Sequence, residues 1–578
     1  PRNKWNRHAK DRLWKDLGLG EAGSEYDDYL FQHDRIQQAA YYTIEESRRK
    51  ETHYKIGKLL LAKLDTSQRS EALFEVLKHL NFSRSLMQNH DERIQTAALN
   101  LQAGEKAKRS NAYAPALSFF EAGMSFLEGL QQPELHNQLL FARSETEYLC
   151  GNYEKSETLF DEALAQAPDP ISKALVLAGK MALYENTNRQ LEAIRIAIDG
   201  LRFTGIHLPE KPGKVAILTK LLKAKYYLLN QPVEKLGQRE NMQSPELLVA
   251  MKILVNLWGP AYLYNQNLLA LAILKMVILS ARYGNSPESA LAYAFYGFVC
   301  CAQLKDYKNG LRFAELGLRL NEKFDDKTLR SKVYVIYAGC VAHWGIPYEQ
   351  LLPTLQKAHE VGVEANDLIY ASYAFSFHGK TRFFKGDSVT ENLALVDKYV
   401  LFTRQILYPL NIHYMMALGR VHYELCGLTP DPAVYGDSCD KETHVSQMKE
   451  LAAQAGTYLF LTSHYIYQGM MYYHLGDFIQ ATRMMELAAP TLDSLLGLTD
   501  IVMYDFYRAL LLLATHSRSQ PLRPAAFGQL RKIIRFMKKR ADACPANFKS
   551  AYLLLCAGWM VYKHKTQEAL RYYQEAEK

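Results

Sequence analysis

The chain has 578 residues, of which 48% are hydrophobic and 22% are charged, and this balance excludes wholesale disorder. Its 69 basic and 61 acidic residues leave a formal charge of +8, which is mild for this length, whereas a nucleic-acid-binding protein would show a concentrated basic stripe. From this mild charge we expect no nucleic-acid partner. The 8 cysteines are scattered without a CxxC pair, as is typical of free thiols in a reducing compartment, so we expect a cytoplasmic protein.

In chain order, the dominant pattern is a helix-turn-helix unit that recurs about every forty residues. Each turn has a small or polar pair followed by an aromatic residue or a serine. The clearest copies are Gly151-Asn152-Tyr153, Asp306-Tyr307, Gly345-Ile346-Pro347-Tyr348, Gly386-Asp387-Ser388 and Gly476-Asp477-Phe478. A period of this length predicts an all-α solenoid of stacked helical hairpins over residues 46–578, because no single hairpin can bury its own apolar stripe.

Two polar segments interrupt this pattern, residues 231–244 and 427–443, and both contain proline and glycine. We expect surface loops inserted between repeats, and either segment could also serve as a docking loop or a lid. The most apolar region, residues 253–280, is broken by Asn256, by Gly259-Pro260 and by Lys275. These residues are costly in a bilayer, so this region predicts two core helices and no membrane span.

Catalytic motifs are not found in the sequence, and we expect neither enzymatic activity nor a cofactor. Gly379-Lys380-Thr381 copies the end of a phosphate-binding loop, but Ala374 stands where its first glycine belongs and the preceding residues predict a helix. Four possible zinc ligands also lie close in sequence. They are His422, Cys426, Cys439 and His444. The last two fall in or beside a Pro/Gly loop with nothing to fix tetrahedral geometry, so we predict no metal site.

The individual copies resemble tetratricopeptide repeats. In the last clear copy, small and aromatic residues stand where that family places its packing residues. These are Gly469, Tyr472, Gly476, Asp477, Phe478, Ala481 and Ala488. The resemblance implies an all-α, right-handed superhelical solenoid of tetratricopeptide-like helix-turn-helix repeats, which binds a protein or peptide, or a small-molecule signal, in its concave groove.

Mapping that family's groove positions onto this chain gives six candidate partner-binding residues. They are Glu145, Tyr148, Lys380, Phe383, Tyr473 and His474. A tyrosine has an apolar ring and a polar hydroxyl, which suits an interface. It equally suits a seam between helices whose end reaches water, and both interpretations stay open at the tyrosine positions.

A second resemblance lies at the start of the chain, where residues 31–41 are similar to the final helix of the winged-helix module in STAND-type signalling ATPases. The likeness continues through residues 59–61, 103–107, 113–117 and 544–548. It implies that residues 1–45 are the remnant of that module and a linker, and that the repeats sit beside ATPase and kinase modules in a longer parent. The first residues carry no initiator Met and no apolar signal core, as expected of an excised fragment.

The same resemblance implies a role for His33, which with Asp34 looks like the pair that senses the nucleotide phosphate in related switches. An imidazole can donate a hydrogen bond to phosphate, although an exposed histidine at a helix start that is satisfied locally is the ordinary alternative. Three hypotheses follow. The chain is a non-catalytic sensing and regulatory module of a signalling ATPase or kinase, a stand-alone adaptor scaffold that joins proteins without nucleotide switching, or a fragment that completes a neighbour's active site through His33.

Overall fold

The computed structural model describes residues 41–63, 66–187, 189–229, 232–406, 409–436, 440–455, 458–516 and 522–577. Within these ranges the regular structure is helical, and extended pairing is limited to one isolated bridge between Asn241 and Asn285. The prediction of an all-α fold is confirmed. Residues 1–40, which include most of the predicted winged-helix remnant and His33, lie outside the described residues.

The chain divides into two compact units, the first ending at Ser172 and the second beginning at Lys173. The helices of the first unit are α1 (Glu46–Lys63), α2 (Thr66–Phe82), α3 (His90–Arg109), α4 (Tyr113–Phe126), α5 (Pro133–Leu149) and α6 (Tyr153–Gln166). Helix α3 packs on α4 and α5 packs on α6 as consecutive antiparallel hairpins. Their core is apolar and includes Phe120, Phe126 and Leu139, which are fully buried.

The second unit continues the same pattern. Its helices are α7 (Pro170–Asn186, which begins in the first unit), α8 (Gln190–Phe203), α9 (Lys214–Leu229), α10 (Val233–Gly237), α11 (Pro245–Asn256), α12 (Trp258–Tyr264), α13 (Gln266–Tyr283), α14 (Ser289–Val299), α15 (Tyr307–Phe324), α16 (Lys327–Tyr334), α17 (Tyr348–Glu364), α18 (Leu368–Lys385), α19 (Val389–Gln405), α20 (Pro409–Leu425), α21 (Pro432–Tyr435), α22 (Lys441–Ala455), α23 (Leu459–His474), α24 (Phe478–Ala488), α25 (Asp500–Thr515), α26 (Pro524–Ala543), α27 (Pro545–Tyr562) and α28 (Thr566–Glu577). Helices α14 and α16 continue into π-helical turns over Cys300–Leu304 and Val335–Val341.

The predicted turns all lie between helices, so the hairpin repeat is confirmed. Gly386 and Gly476 adopt positive φ angles of 92° and 78°, which an L-residue with a side chain rarely adopts. The polar residue of the turn then caps the following helix. The side chain of Asp306 accepts a hydrogen bond from the backbone N–H of Asn309, and Asp477 does the same for Gln480. The turn signature is therefore a helix stop followed by an N-cap.

Both predicted insertions contain a short helix that packs into the fold, and in this they differ from simple surface loops. In the first, Leu236 of α10 is fully buried, and Asn285 donates a hydrogen bond to its carbonyl oxygen. In the second, the α21 side chain of Tyr435 is buried, and its hydroxyl lies 3.4 Å from the Asp397 carboxylate. A few apolar side chains in an otherwise polar segment are enough to anchor it, because each buries area that the neighbouring repeats leave open.

The most apolar region forms α11, α12 and α13, with a bend of 42° between the first two. By length and composition, α13 is apolar enough to cross a membrane, and 67% of it is buried inside the fold. Its long apolar face therefore packs against neighbouring helices in the second unit, as α9 and α14 do against it.

Candidate functional site

The centre of the second unit is a buried ion pair. Lys380 Nζ lies 2.9 Å from Asp500 Oδ2, and the two side chains are 2% and 0% exposed. The other carboxylate oxygen accepts a hydrogen bond of 2.7 Å from the Tyr467 hydroxyl. Burial alone would raise the pKa of Asp500, but the Lys380 ammonium and the Tyr467 hydroxyl hold it below its usual range. A buried charge must be paired, and this pair satisfies that need.

This finding corrects the assignment of Lys380 to a partner-binding groove. Its ammonium is committed to Asp500 inside the unit and is not presented to an outside partner. The sequence pattern predicted Lys380 on an inner helix, and the structure has it on α18, the first helix of its hairpin. The sequence pattern could not show that helices from distant repeats fill the space in front of it.

The second unit closes on itself through the start of α27. Asn547 donates two hydrogen bonds, of 2.8 and 2.9 Å, to the carbonyl oxygens of His343 and Ile346, and its Oδ1 accepts one of 2.9 Å from the Tyr348 N–H. The ring of Phe548 packs beside Trp344, with their centroids 5.8 Å apart. A helix near the end of the chain is thus tied to the turn before α17.

A groove with a volume of about 800 Å³ lies between α27 and the first helices of several hairpins. Its walls come from α18, α20, α23 and α25, with Met537 of α26 and the start of α17. The lining residues are Pro347, Tyr348, Glu349, Phe383, Phe384, Lys385, Val389, Val421, Leu425, Met470, Met471, His474, Val502, Met503, Phe506, Tyr507, Met537, Ala546, Asn547, Phe548, Ser550, Ala551 and Leu554. We call this the α27 groove.

The α27 groove is mainly apolar and has four methionines in its lining, of which Met503 is partly exposed. Six of its large apolar side chains are only partly buried, so they face its open space. They are Phe383, Phe384, Leu425, Met503, Phe506 and Leu554. Methionine side chains are flexible and polarisable, which lets one surface adapt to different apolar partners. The Tyr348 hydroxyl is buried at the wall and has no hydrogen-bond partner among the residues that the structure describes.

Two of the six predicted groove residues, Phe383 and His474, line the α27 groove. His474 Nε2 lies 2.7 Å from the Tyr507 hydroxyl, and burial lowers the pKa of this histidine. The ring of Tyr473 packs against that of Tyr507, with centroids 5.5 Å apart. The structure therefore places Tyr473 and His474 beside Tyr507, and Phe383 lines the same groove.

The remaining two predicted residues belong to the first unit. The Glu145 carboxylate pairs with the Lys108 ammonium at 3.0 Å, and both are partly exposed. The ring of Tyr148 lies beside that of Tyr153, with centroids 6.3 Å apart. Both side chains are half-buried on their own hairpin, and a partner surface at this position stays a prediction.

Three of the four possible zinc ligands, His422, Cys426 and His444, lie in the described part of the chain, and there they are not gathered into one metal site. The side chain of His422 accepts a hydrogen bond of 2.9 Å from the Asn392 amide, whereas His444 packs between the rings of His413 and His464. Cys439 lies outside the described residues. Across the described ranges no group of three or more His, Cys, Asp or Glu side chains is arranged to hold a metal ion.

Sequence reasoning missed Asn547, Tyr348 and the methionines of the α27 groove. The run Cys544 to Phe548 carried a signal, since its residues were part of the likeness to signalling ATPases, but nothing in that likeness gave its contacts. The methionines carried no such signal, because an apolar stripe on a helix has the same sequence pattern whether another helix or open space lies opposite it.

No family model matches the chain. A curated protein of Dictyostelium discoideum, hybrid signal transduction histidine kinase G, is 25% identical over 445 residues, which are 69% of this chain and 13% of that protein. The chain thus spans only a small part of that relative. Among solved structures, a Pyrococcus horikoshii STAND protein with a tetratricopeptide repeat sensor is 12% identical with a TM-score of 0.35, covering 74% of this chain and 57% of that one. Human IFIT1, solved with PPP-AAAA, is 14% identical with a TM-score of 0.28, covering 80% and 93%. The fold of the chain, over the described residues, is a tandem array of antiparallel helical hairpins.

Proposed function

We propose that the chain is a non-catalytic regulatory module of a multidomain signalling protein, and that its α27 groove binds an apolar helical segment of a protein partner. The observation that carries this proposal is the groove itself. Its volume of about 800 Å³ is large enough for several apolar side chains, and half-buried aromatic and methionine side chains line it. Such surfaces bind amphipathic helices through a few apolar anchors.

The groove also offers polar groups that would orient a partner. The Tyr348 hydroxyl lacks an acceptor among the described residues, and leaving a buried donor unsatisfied is costly. A carbonyl or carboxamide oxygen of a bound segment would remove that cost. Glu349 and Lys385 stand at the lining as charged groups, so the groove favours a segment with polar residues beside its apolar anchors.

The regulatory part of the proposal rests on how the wall is held. Helix α27 is fixed to the turn before α17 by Asn547, so a partner that enters the groove contacts two elements far apart in the sequence. Binding would favour one position of α27 over another, and a partner can shift such an equilibrium only by its differential affinity for the two positions. The match to part of a hybrid histidine kinase supports a setting in which neighbouring modules respond to that shift.

A peptide selection tests the groove. Random helical peptides displayed on phage would be selected on the immobilised full chain, and the enriched peptides measured by fluorescence anisotropy. We expect apolar anchors at helical spacing and a loss of affinity of at least about tenfold on Phe506→Gln, which removes a half-buried apolar contact. The matched control is Ile479→Gln, since Ile479 is 82% exposed and does not line the groove. Peptides that bind both variants as well as the unaltered chain, or a selection that enriches nothing, would refute the proposal.

A second measurement separates regulation from the adaptor hypothesis. The selected peptide would be added to the full-length parent protein while autophosphorylation and nucleotide hydrolysis are followed. A change in either rate that is lost in the Phe506→Gln variant supports a regulatory module. Binding without any change in rate would leave an adaptor that joins proteins.

A further inference from the structure

A second cavity lies inside the second unit and shares no lining residue with the α27 groove. Its volume is about 90 Å³, several times the roughly 10–15 Å³ that one water needs on the same measure. Its walls come from α7, α12, α18, α20 and α23, together with the π-helical turn after α16. Seven aromatic side chains line it, among them Trp258, Tyr262, Tyr370, Phe377, Tyr414 and Phe460.

One carboxylate, that of Glu185 at the end of α7, belongs to the described lining of this aromatic cavity. Burial raises the pKa of Glu185 to about 7, and the nearby Lys332 only partly offsets this. Lys332 lies 3.7 Å from Asp367, which acts on Glu185 in the opposite direction. The Glu185 carboxylate therefore lies among aromatic rings, and no cation in the described ranges forms an ion pair with it.

The backbone of α12 is shaped to admit this carboxylate. A Cβ atom on Gly259 would lie 2.5 Å from Glu185 Oε1, so any larger residue would displace the carboxyl group. Lys380, which lies beside the lining residue Phe377, does not neutralise the Glu185 carboxylate. Lys380 is within 4.7 Å of the Phe377 ring, but its charge is already matched by Asp500 at 2.9 Å.

We propose that the aromatic cavity binds a small organic ammonium ion, with Glu185 as its counter-ion and the aromatic rings of the lining in contact with it. Aromatic rings attract a cation through the negative potential of their faces, and a desolvated site strengthens that attraction. A cation stabilises the ionised form of Glu185, whereas a neutral apolar ligand fills the space without pairing with that charge and an anion is repelled by it. The size admits an ammonium with about four carbons, such as butylammonium.

Calorimetric titration of the full chain compares butylammonium chloride with 1-butanol, which has the same number of heavy atoms and no charge, at constant ionic strength. We expect the cation to bind at least about tenfold more tightly. The Glu185→Gln variant should lose at least about tenfold in butylammonium affinity while its 1-butanol affinity stays within about twofold, which shows that the cavity is intact. Gly259→Ala, which displaces the Glu185 carboxylate, should lower the affinity for butylammonium in the same way.

The matched control is Glu288→Gln, since Glu288 is a buried glutamate of the same unit whose pKa burial also raises, and it does not line the aromatic cavity. It should leave butylammonium binding unchanged. Equal affinities for the two probes, no binding of butylammonium, or the same loss in the Glu288 and Glu185 variants would each overturn the proposal. Because the lining residues are separate, these outcomes leave the peptide experiment on the α27 groove unaffected.

Discussion

Lys380 Nζ and Asp500 Oδ2 lie 2.9 Å apart although they are separated by 120 positions in the sequence. Asp500 is the first residue of α25, where a negative charge also favours the helix dipole, and Lys380 lies on α18. In an ideal solenoid each repeat contacts only its neighbours. This pair instead links repeats that are far apart along the chain in the interior of the second unit.

Breaking this pair should destabilise the second unit strongly. Asp500→Asn leaves the Lys380 ammonium buried without its counter-charge, so we expect the free energy of unfolding to fall by about 3–5 kcal/mol. The measurement is urea denaturation followed by tryptophan fluorescence. As a control, Asp542→Asn removes a pair of 2.8 Å with Lys538 in which both side chains are more than half exposed, and we expect a change below about 1 kcal/mol. Equal effects of the two changes would show that the buried pair has no special importance.

The hairpin repeat could be predicted from the sequence because its signals are local. Glycine before the turn, aspartate at the cap and an apolar stripe of helical period are all read from neighbouring residues, and the turns at Gly386 and Gly476 confirm them. The contacts of Lys380 depend on a residue 120 positions away, and no local pattern encodes them.

The same reason limits the prediction of the candidate site. Phe383 and His474 line the α27 groove, and each lies on the first helix of its hairpin, whereas their contact with a partner stays a prediction. The opposite wall is α27, which reaches them only because the second unit closes through Asn547. The sequence of a single repeat predicts which face of the helix a side chain occupies. It does not predict which distant element lies opposite that face.

Asn547 offers a direct test of that closure. Asn547→Asp keeps the oxygen that accepts from the Tyr348 N–H but loses both donations, and it places a carboxylate beside the carbonyls of His343 and Ile346. We expect the local free energy of opening to fall by about 1–3 kcal/mol, seen as roughly fivefold or greater acceleration of amide hydrogen exchange over residues 343–348. Asn547→Ala, which removes the acceptor as well, should do at least as much.

The control for this change is Lys549→Ala on the same helix, because Lys549 is half exposed and its ion pair is with Glu575, away from residues 343–348. Its exchange pattern over residues 343–348 should match that of the unaltered chain. Unchanged exchange in both Asn547 variants would mean that aromatic packing alone holds α27 in place.

Acid should weaken the second unit through its buried histidines. Burial lowers the pKa of His343 and of His464 to about 3 each, against an ordinary value of 6.5. Below pH 6.5 these two histidines bind protons in the unfolded chain but stay neutral in the folded chain. The free energy of unfolding is therefore undiminished by these histidines above pH 6.5. It falls as the pH drops towards 3, by at most about 1.4 kcal/mol per pH unit for each histidine.

Urea denaturation at pH 7.5, 6 and 5 measures that slope. His464→Gln should flatten it by the contribution of one proton, whereas His207→Gln, at an exposed position in the same unit, should leave it unchanged. A slope that stays the same in the His464 variant would show that this side chain is not held neutral in the folded state.

Tyr348 distinguishes a hydroxyl kept for a partner from one kept for stability. The side chain is 5% exposed, lines the α27 groove and leaves its hydroxyl without an acceptor among the described residues. Tyr348→Phe removes that unsatisfied group, so the free energy of unfolding should stay the same or rise by about 1 kcal/mol. Affinity for the selected groove peptide should nevertheless fall, by about fivefold or more if the peptide supplies the acceptor.

Tyr293→Phe is the matched control, since that hydroxyl is also buried without a partner in the described part of the chain but does not line the groove. It should change stability in the same direction and leave peptide affinity intact. If Tyr348→Phe lowers stability and spares binding, the hydroxyl belongs to the fold and the orientation proposed for the partner is wrong.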